Sequence, residues 1–483
     1  MKFIKKVELK YRKLNTLGRL QSCLHIRRQK IQKIGTGEAS CDVLLTKTKN
    51  GKFKDKPVIG CKDLENLKKF VPPRYLGKST KESFIYDGSF YQAIGSVLLM
   101  AEFFAIMPVR GVKGRSPNDL SFSWSSIRTI YCIVVIVGVL VDTALTAYVV
   151  LNGSISFHSI EPLIFRVSNV IACISFLHLA KNWPEVMRNW RAVEKQLPGF
   201  VTQLEKRQMA AKIHIVVFVS MMLSLVEHIL NIISLIHHAN FCPITDDPIE
   251  DFFLRSNNQI FYVFSYSVWL AWYGKILHVL MTFTWNYMDC FVMIVSIGLT
   301  NLFKQINENM MRHKGMKMSS SYWSERRIQY RNLCVLCENV DNAISVITMV
   351  SFSNNLYFIC IQLLRSMNKM PSFAHALYFY FSLIYLLGRT LAVSLYSADI
   401  HDESKKPQCF IRCVPSESWC QDVKRFSDEV STDLVALSGM KFFHLTRKLV
   451  LSVAGTIVTY ELVLIQFRED NKIWDCERKD LLQ

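Results

Sequence analysis

Seven stretches of roughly twenty mostly apolar residues, near 129–151, 163–181, 213–237, 259–283, 343–365, 373–399 and 449–467, punctuate the chain. That is the length at which an α-helix crosses the hydrocarbon of a bilayer. With 50% of its 483 residues hydrophobic and only 20% charged, the chain is poorer in charge than a soluble protein of this size. The expected fold class is therefore all-α, a polytopic membrane protein with seven transmembrane helices.

The loops orient the bundle. The connection at 182–212 carries Arg188, Arg191, Lys195, Lys206, Arg207 and Lys212, and the one at 303–331 is as basic. The connection at 400–448 is also long and rich in Lys and Arg. By contrast 152–162 has neither residue, and 238–258 sets Arg255 against Asp246, Asp247, Glu250 and Asp251. Positive charge marks the cytoplasmic side. The net charge of +19 then reads as cytoplasmic loops, and no nucleic-acid motif interrupts the apolar pattern. Residues 1–89 hold 22 Lys and Arg against 8 Asp and Glu, with no secretory signal. They form a basic cytoplasmic N-terminal segment. Seven spans from an inside N-terminus leave the C-terminus, 468–483, extracellular.

An eighth apolar run, YQAIGSVLLMAEFFAIMPV (91–109), is flanked by basic segments on both sides. Within 90–128 it reads as a re-entrant or interfacial helix and linker, ending at Pro108. Spans one to four (129–301) form a ligand-binding bundle, 302–342 cytoplasmic stalk helices, and 343–399 spans five and six. A cytoplasmic linker (400–448) leads to the last span (449–467). Asn152 opens a glycosylation sequon, Asn-Gly-Ser, on the expected outer face. A disulfide between Cys242 and Cys476 is compatible with this topology. The CVLC pair, Cys334 and Cys337, lacks the partners of a zinc site. No phosphate loop, nucleophile elbow or HExxH is present, so no enzyme chemistry, metal or cofactor is expected.

The last span reads TYELVLIQF, Thr459 to Phe467. At about 100° per residue, Ser452, Thr456, Thr459, Gln466 and Asp470 share one arc, with Val463 at its middle and Phe467 at its edge. Glu461 falls on the opposite side. Such a stripe either lines water or hydrogen-bonds to neighbouring helices. If it lines water, Val463 and Phe467 suit a constriction that closes by dewetting, and several subunits must surround the axis.

TYELVLIQF resembles the TY–QF signature of insect gustatory receptors, anchored by Thr459, Tyr460, Gln466 and Phe467, with Glu461 interrupting its apolar slot. AEFFAIMPVRGV (101–112) and SFSWSSIRTIY (121–131) resemble the sugar-receptor branch. The resemblance implies a ligand-gated, non-selective cation channel at the plasma membrane of sensory neurons. It implies a tetramer, as a homotetramer or a heteromer with related receptors, with the last helix lining the pore. Its partners are a sugar, monovalent and divalent cations, and membrane lipid.

A sugar site needs hydrogen-bonding groups and aromatic faces. Span three offers Glu227, His228 and Asn231, and span four Tyr262, Tyr266, Trp269 and Trp272. Asp142 on span one, Arg166 on span two, and Asn355 and Gln362 on span five complete the expected set. Asp142 and Arg166 could equally pair with each other, and an aromatic stripe could equally be a membrane-interface belt. A G-protein-coupled receptor would need the opposite topology. A transporter would be expected to show internal repeats, which are not visible.

Overall fold

The computed structural model describes residues 89–153, 157–198, 203–241, 245–366, 370 and 372–466. In these residues the polytopic helical architecture read from the apolar runs is the one the chain adopts. Six helices are long and apolar enough to cross a membrane. They include α2 (Ile127–Asn152), α3 (Phe157–Gln196), α4 (Gln203–Phe241), α7 (Val268–Arg312), α8 (Ser320–Ser366) and α9 (Phe373–Lys405). A seventh apolar helix, α12 (Arg447–Gln466), ends the described part.

The run at 91–109 forms the short helix α1 (Phe90–Phe103). Fourteen residues span only about 21 Å, too short to cross a bilayer. It is buried by Phe90, Ile94 and Leu98 at helical spacing. Ser89 caps its first turn, and the Phe90 N–H donates to Glu194 at 3.0 Å. Phe90 stacks on Trp190 with ring centroids 4.1 Å apart. Gly298 admits this stack, since a Cβ there would lie 2.6 Å from the Phe90 ring.

α7 is the axis of the bundle. Every residue from Asn286 to Thr300 is buried, as expected of a helix surrounded on all sides. α4 contrasts with it, presenting Ile215, Phe218, Leu225 and Ile229 outward, which fits a lipid-facing surface. The sequence pattern placed the fourth span at 259–283, but the helix begins only at Val268. Tyr262 caps a short helix, α6 (Asn258–Phe261), which follows α5 (Pro248–Ser256), and Ser267 is in extended conformation. The apolar run continues through this turn, so hydropathy did not reveal the break.

At the end that carries the basic loops, α7 and α8 extend well beyond a bilayer's thickness. Phe303, Tyr330 and Phe426 pack there, joining them to α11 (Gln421–Thr432). Arg327 pairs with Asp422 at 3.1 Å and Glu429 at 3.0 Å. α10 (Pro407–Ile411) continues from α9. A hairpin of two-residue strands, β1 (Ser438–Gly439) with β2 (Phe443–His444), departs from the all-helical expectation. The Asp341 carboxylate accepts from the Ser438 N–H at 2.5 Å and hydroxyl at 2.8 Å, and from Lys441 at 2.6 Å. The hairpin feeding α12 is thus fixed to α8.

Candidate ligand site and pore helix

Polar side chains inside the apolar bundle need partners, and among the described residues three groups of them involve the predicted ligand residues. The deepest lies on α7, α8 and α9. Arg389 pairs with Asp289 at 2.7 Å, the two side chains 3% and 0% exposed. Asp289 also accepts from Ser351 and from Asn355, the latter at 3.0 and 3.1 Å. Arg389 reaches the Asn355 oxygen at 3.2 Å and bonds Asn286, which also accepts from Tyr385 at 3.0 Å. The guanidinium lies over Trp285, 4.8 Å from its centroid. Asn355, a predicted ligand residue, is therefore committed to this hub.

The second group lies further toward the other end. The Ser382 hydroxyl donates to Glu227 at 2.5 Å and accepts from the Gln362 amide at 3.1 Å. One serine on α9 thus links α4 to α8, joining two predicted ligand residues. The Gln362 carbonyl oxygen is buried with no hydrogen-bond partner. Asn231 is half-buried one turn beyond Glu227. His228, also half-buried, faces His278 with ring centroids 6.1 Å apart.

The third group is structural in form. Asp142 accepts from Arg166 at 2.6 Å and from Gln259 at 2.8 Å, so both carboxylate oxygens are engaged. The expected pairing is realised, and through Gln259 it ties α6 to α2. The aromatic set is divided rather than aligned. Tyr262 meets Tyr148 at 6.3 Å and Tyr266 meets Phe261 at 5.4 Å, both before α7 starts. Trp272 packs its edge on Phe253 at 5.4 Å, and Trp269 is 86% exposed. These rings sit at the rim, while Glu227 and Gln362 meet through α9. Asn152 closes α2 and donates its amide to the Tyr148 carbonyl at 3.1 Å.

No residue of α9 was expected in a site. Its signal was present: Ser382, Tyr385 and Arg389 recur at three- and four-residue spacing on one face, and Arg389 is a charge inside an apolar span. Asn286 and Asp289 on α7 show the same spacing, but the fourth span was expected to end at 283, which left both outside it.

α12 meets the rest of the fold along one edge. Arg447 pairs with Asp399 at 3.3 Å and with Asp402. Ile457 packs against the cluster formed by Phe358, Ile359 and Leu386 of α8 and α9. Val453 and Ile457 are half-buried, whereas Ser452, Thr456 and Thr459, turned away from that edge, are exposed. Thr456 and Thr459 donate to the carbonyls of Ser452 and Gly455 at 3.0 and 2.9 Å, within their own helix. Tyr460 to Gln466 lie outside the described side chains, as does all of Phe467, so Val463, Gln466 and Phe467 rest on the sequence pattern. Cys242 and Cys476 are likewise outside the described residues.

A family model described as "Trehalose receptor" matches residues 65–476. The gustatory receptor for sugar taste 64f of Drosophila melanogaster is 61% identical over 403 residues, covering 83% of this chain and 86% of that one. Gustatory receptor 5a for trehalose, from the same fly, is 45% identical over 399 residues, covering 83% and 90%. The insect olfactory receptor OR5 from Machilis hrabei shares the fold. Its TM-score is 0.60 at 13% identity, over 78% of this chain and 98% of that one. The same receptor in complex with eugenol gives 0.57. The chain belongs to the trehalose receptor family, the insect gustatory receptors for sugar taste.

Proposed function

We propose that the chain is a sugar-gated, non-selective cation channel in the plasma membrane of chemosensory neurons, with its N-terminus cytoplasmic and its C-terminus outside. Four copies, identical or mixed with related receptors, surround a pore lined by α12. The observation that carries this reading is the one-edged docking of α12. A transmembrane helix docked along one edge, with three hydroxyl-bearing residues on its exposed face, suits water or helix packing better than an all-lipid surround, although two of those hydroxyls bond their own helix. Copies arranged about an axis would give that face water and partners. The low-identity olfactory-receptor likeness supports only the frame on which this is built.

The sugar enters from the acidic-loop side and engages Glu227, Gln362 and Asn231, with His228 alongside. Support comes from the buried, unpartnered Gln362 oxygen beside a carboxylate, an arrangement that a ligand hydroxyl satisfies. Binding at Ser382 bears on α9, where Leu386, one turn further, belongs to the cluster against which Ile457 of α12 packs. A ligand favouring one packing of α9 against α12 shifts the closed–open equilibrium by its differential affinity. Asp142, Arg166 and Asn355 position the helices around this path, and the rim aromatics Tyr262, Tyr266, Trp269 and Trp272 guide entry.

Excised-patch recording from cells expressing the chain tests the reading. Sugar applied to the outer face should evoke unitary cation currents with no nucleotide on the cytosolic face. Currents that vanish on excision and return only with GTP would instead indicate a coupled receptor.

A further inference from the structure

At the basic-loop end, remote from Glu227, α4 and α7 line a half-open cavity of about 190 Å³. It is smaller than the roughly 300–1,000 Å³ of sites for drug-sized molecules, so it suits one compact group. Its polar lining is rich in donors. Lys212 and Lys304 line it with Thr300, Asn301 and Gln305, and the Glu308 carboxylate stands at an exposed position. Thr300 is 4% and Gln305 8% exposed. The Thr300 hydroxyl and the side-chain amide nitrogens of Asn301 and Gln305 are buried with no hydrogen-bond partner.

Three orphaned polar atoms belong to residues that line the cavity but are themselves shielded from it, so a ligand would relieve their cost once a small side-chain turn brings them to its surface. Among the described residues neither lysine forms an ion pair. Lys212 instead lies over the Tyr396 ring, 4.7 Å from its centroid. Two ammonium groups beside three unpaired polar groups favour an anion with several acceptor oxygens over water alone. Lys212 and Lys304 lie at the end of the bundle where the basic loops meet the bilayer, and there a phosphate group is the most abundant such anion.

We infer that the cavity between α4 and α7 is a binding site for a terminal phosphate, carried as a phosphomonoester by an anionic lipid of the inner leaflet or present as free inorganic phosphate. Its placement at the inner leaflet rests on the topology proposed above, but the existence of the site does not. Binding there would clamp α4 to α7 at the end opposite the sugar cluster. Membrane composition would then bias the packing on which gating depends.

The test uses the purified full-length chain in detergent and requires no current, so it stands or falls independently of channel function. Thermal stability is titrated with dioctanoyl phosphatidylinositol 4,5-bisphosphate, dioctanoyl phosphatidylcholine and inorganic phosphate. The bisphosphate lipid should stabilise the protein and phosphatidylcholine should not. Stabilisation by inorganic phosphate at similar concentrations would assign the site to a soluble source. The basic segment 1–89 could also attract acidic lipid, so K212Q/K304Q is the decisive comparison. Loss of two lysines at a lipid surface should raise the half-saturating concentration roughly ten- to thirty-fold. Thr300→Val, which retains both charges and the side-chain shape, should weaken binding by a smaller factor. The inference is overturned if neither phosphate probe stabilises the wild-type chain, or if K212Q/K304Q titrates like wild type.

Discussion

Around Arg389 the bundle closes on itself: Asp289 meets Arg389, Ser351 and Asn355, so three helices contribute to one buried charge pair. Along α12 the polar residues do the reverse. Ser452, Thr456 and Thr459 face outward, and both threonines bond only their own backbone. The two regions are alike in placing polar groups in an apolar span, yet they differ in who supplies the partner. The hub is complete within one chain, whereas among the described residues the α12 stripe hydrogen-bonds to no side chain of another helix, and on the proposed reading water or other copies complete it. If the proposed channel is right, the contrast separates residues that hold one chain together from residues that act in its assembly.

The hub should yield the largest effect. Arg389→Met or Asp289→Leu alone strands a buried charge, which costs about 3–5 kcal/mol. Either variant should lose most of its surface expression, measured by labelling intact cells. The double replacement should recover much of it. Equal damage from the pair and the singles would mean that the charges do more than neutralise each other.

Gating substitutions should come next and leave folding intact. Phe467→Ala or Val463→Ser should hydrate an apolar constriction and raise current without sugar. Unchanged basal current in both variants, at normal surface levels, would remove these residues from the gate.

At the sugar cluster the expected losses are intermediate. Glu227→Ala or Ser382→Ala should weaken the sugar dose response by about 1–3 kcal/mol, the cost of leaving a buried partner unpaired. Trp269→Ala should shift it by no more than about 0.5 kcal/mol, as for an exposed side chain away from the buried groups. The reverse ranking would return the ligand to the aromatic rim. Thr456→Ala and Thr459→Ala should be smallest in stability, within about 0.5 kcal/mol, while altering relative cation permeability in the assembled channel.

Much of this was legible because lipid forces polar groups into pairs. Run length revealed the spans, and the Asp142–Arg166 pair was foreseeable from two opposite charges on adjacent helices. The link from Glu227 to Gln362 was not, because it runs through Ser382, a residue too ordinary to stand out. Tyr262 and Tyr266 misled for a different reason. Their spacing was helical, but the chain turns before Val268, and periodicity does not register a turn inside a continuous apolar run. Arg389 stood out in composition but needed Asp289 at known depth to be interpreted.

A cysteine scan from Thr456 to Asp470, with a water-soluble thiol reagent applied with and without sugar, decides whether α12 lines the ion pathway. Modification should block current at Thr456, Thr459, Val463 and Gln466, with the inner positions reactive only while sugar is present. Blockade that follows the Glu461 face instead, or no reactivity at any position in either state, would contradict α12 as the pore helix.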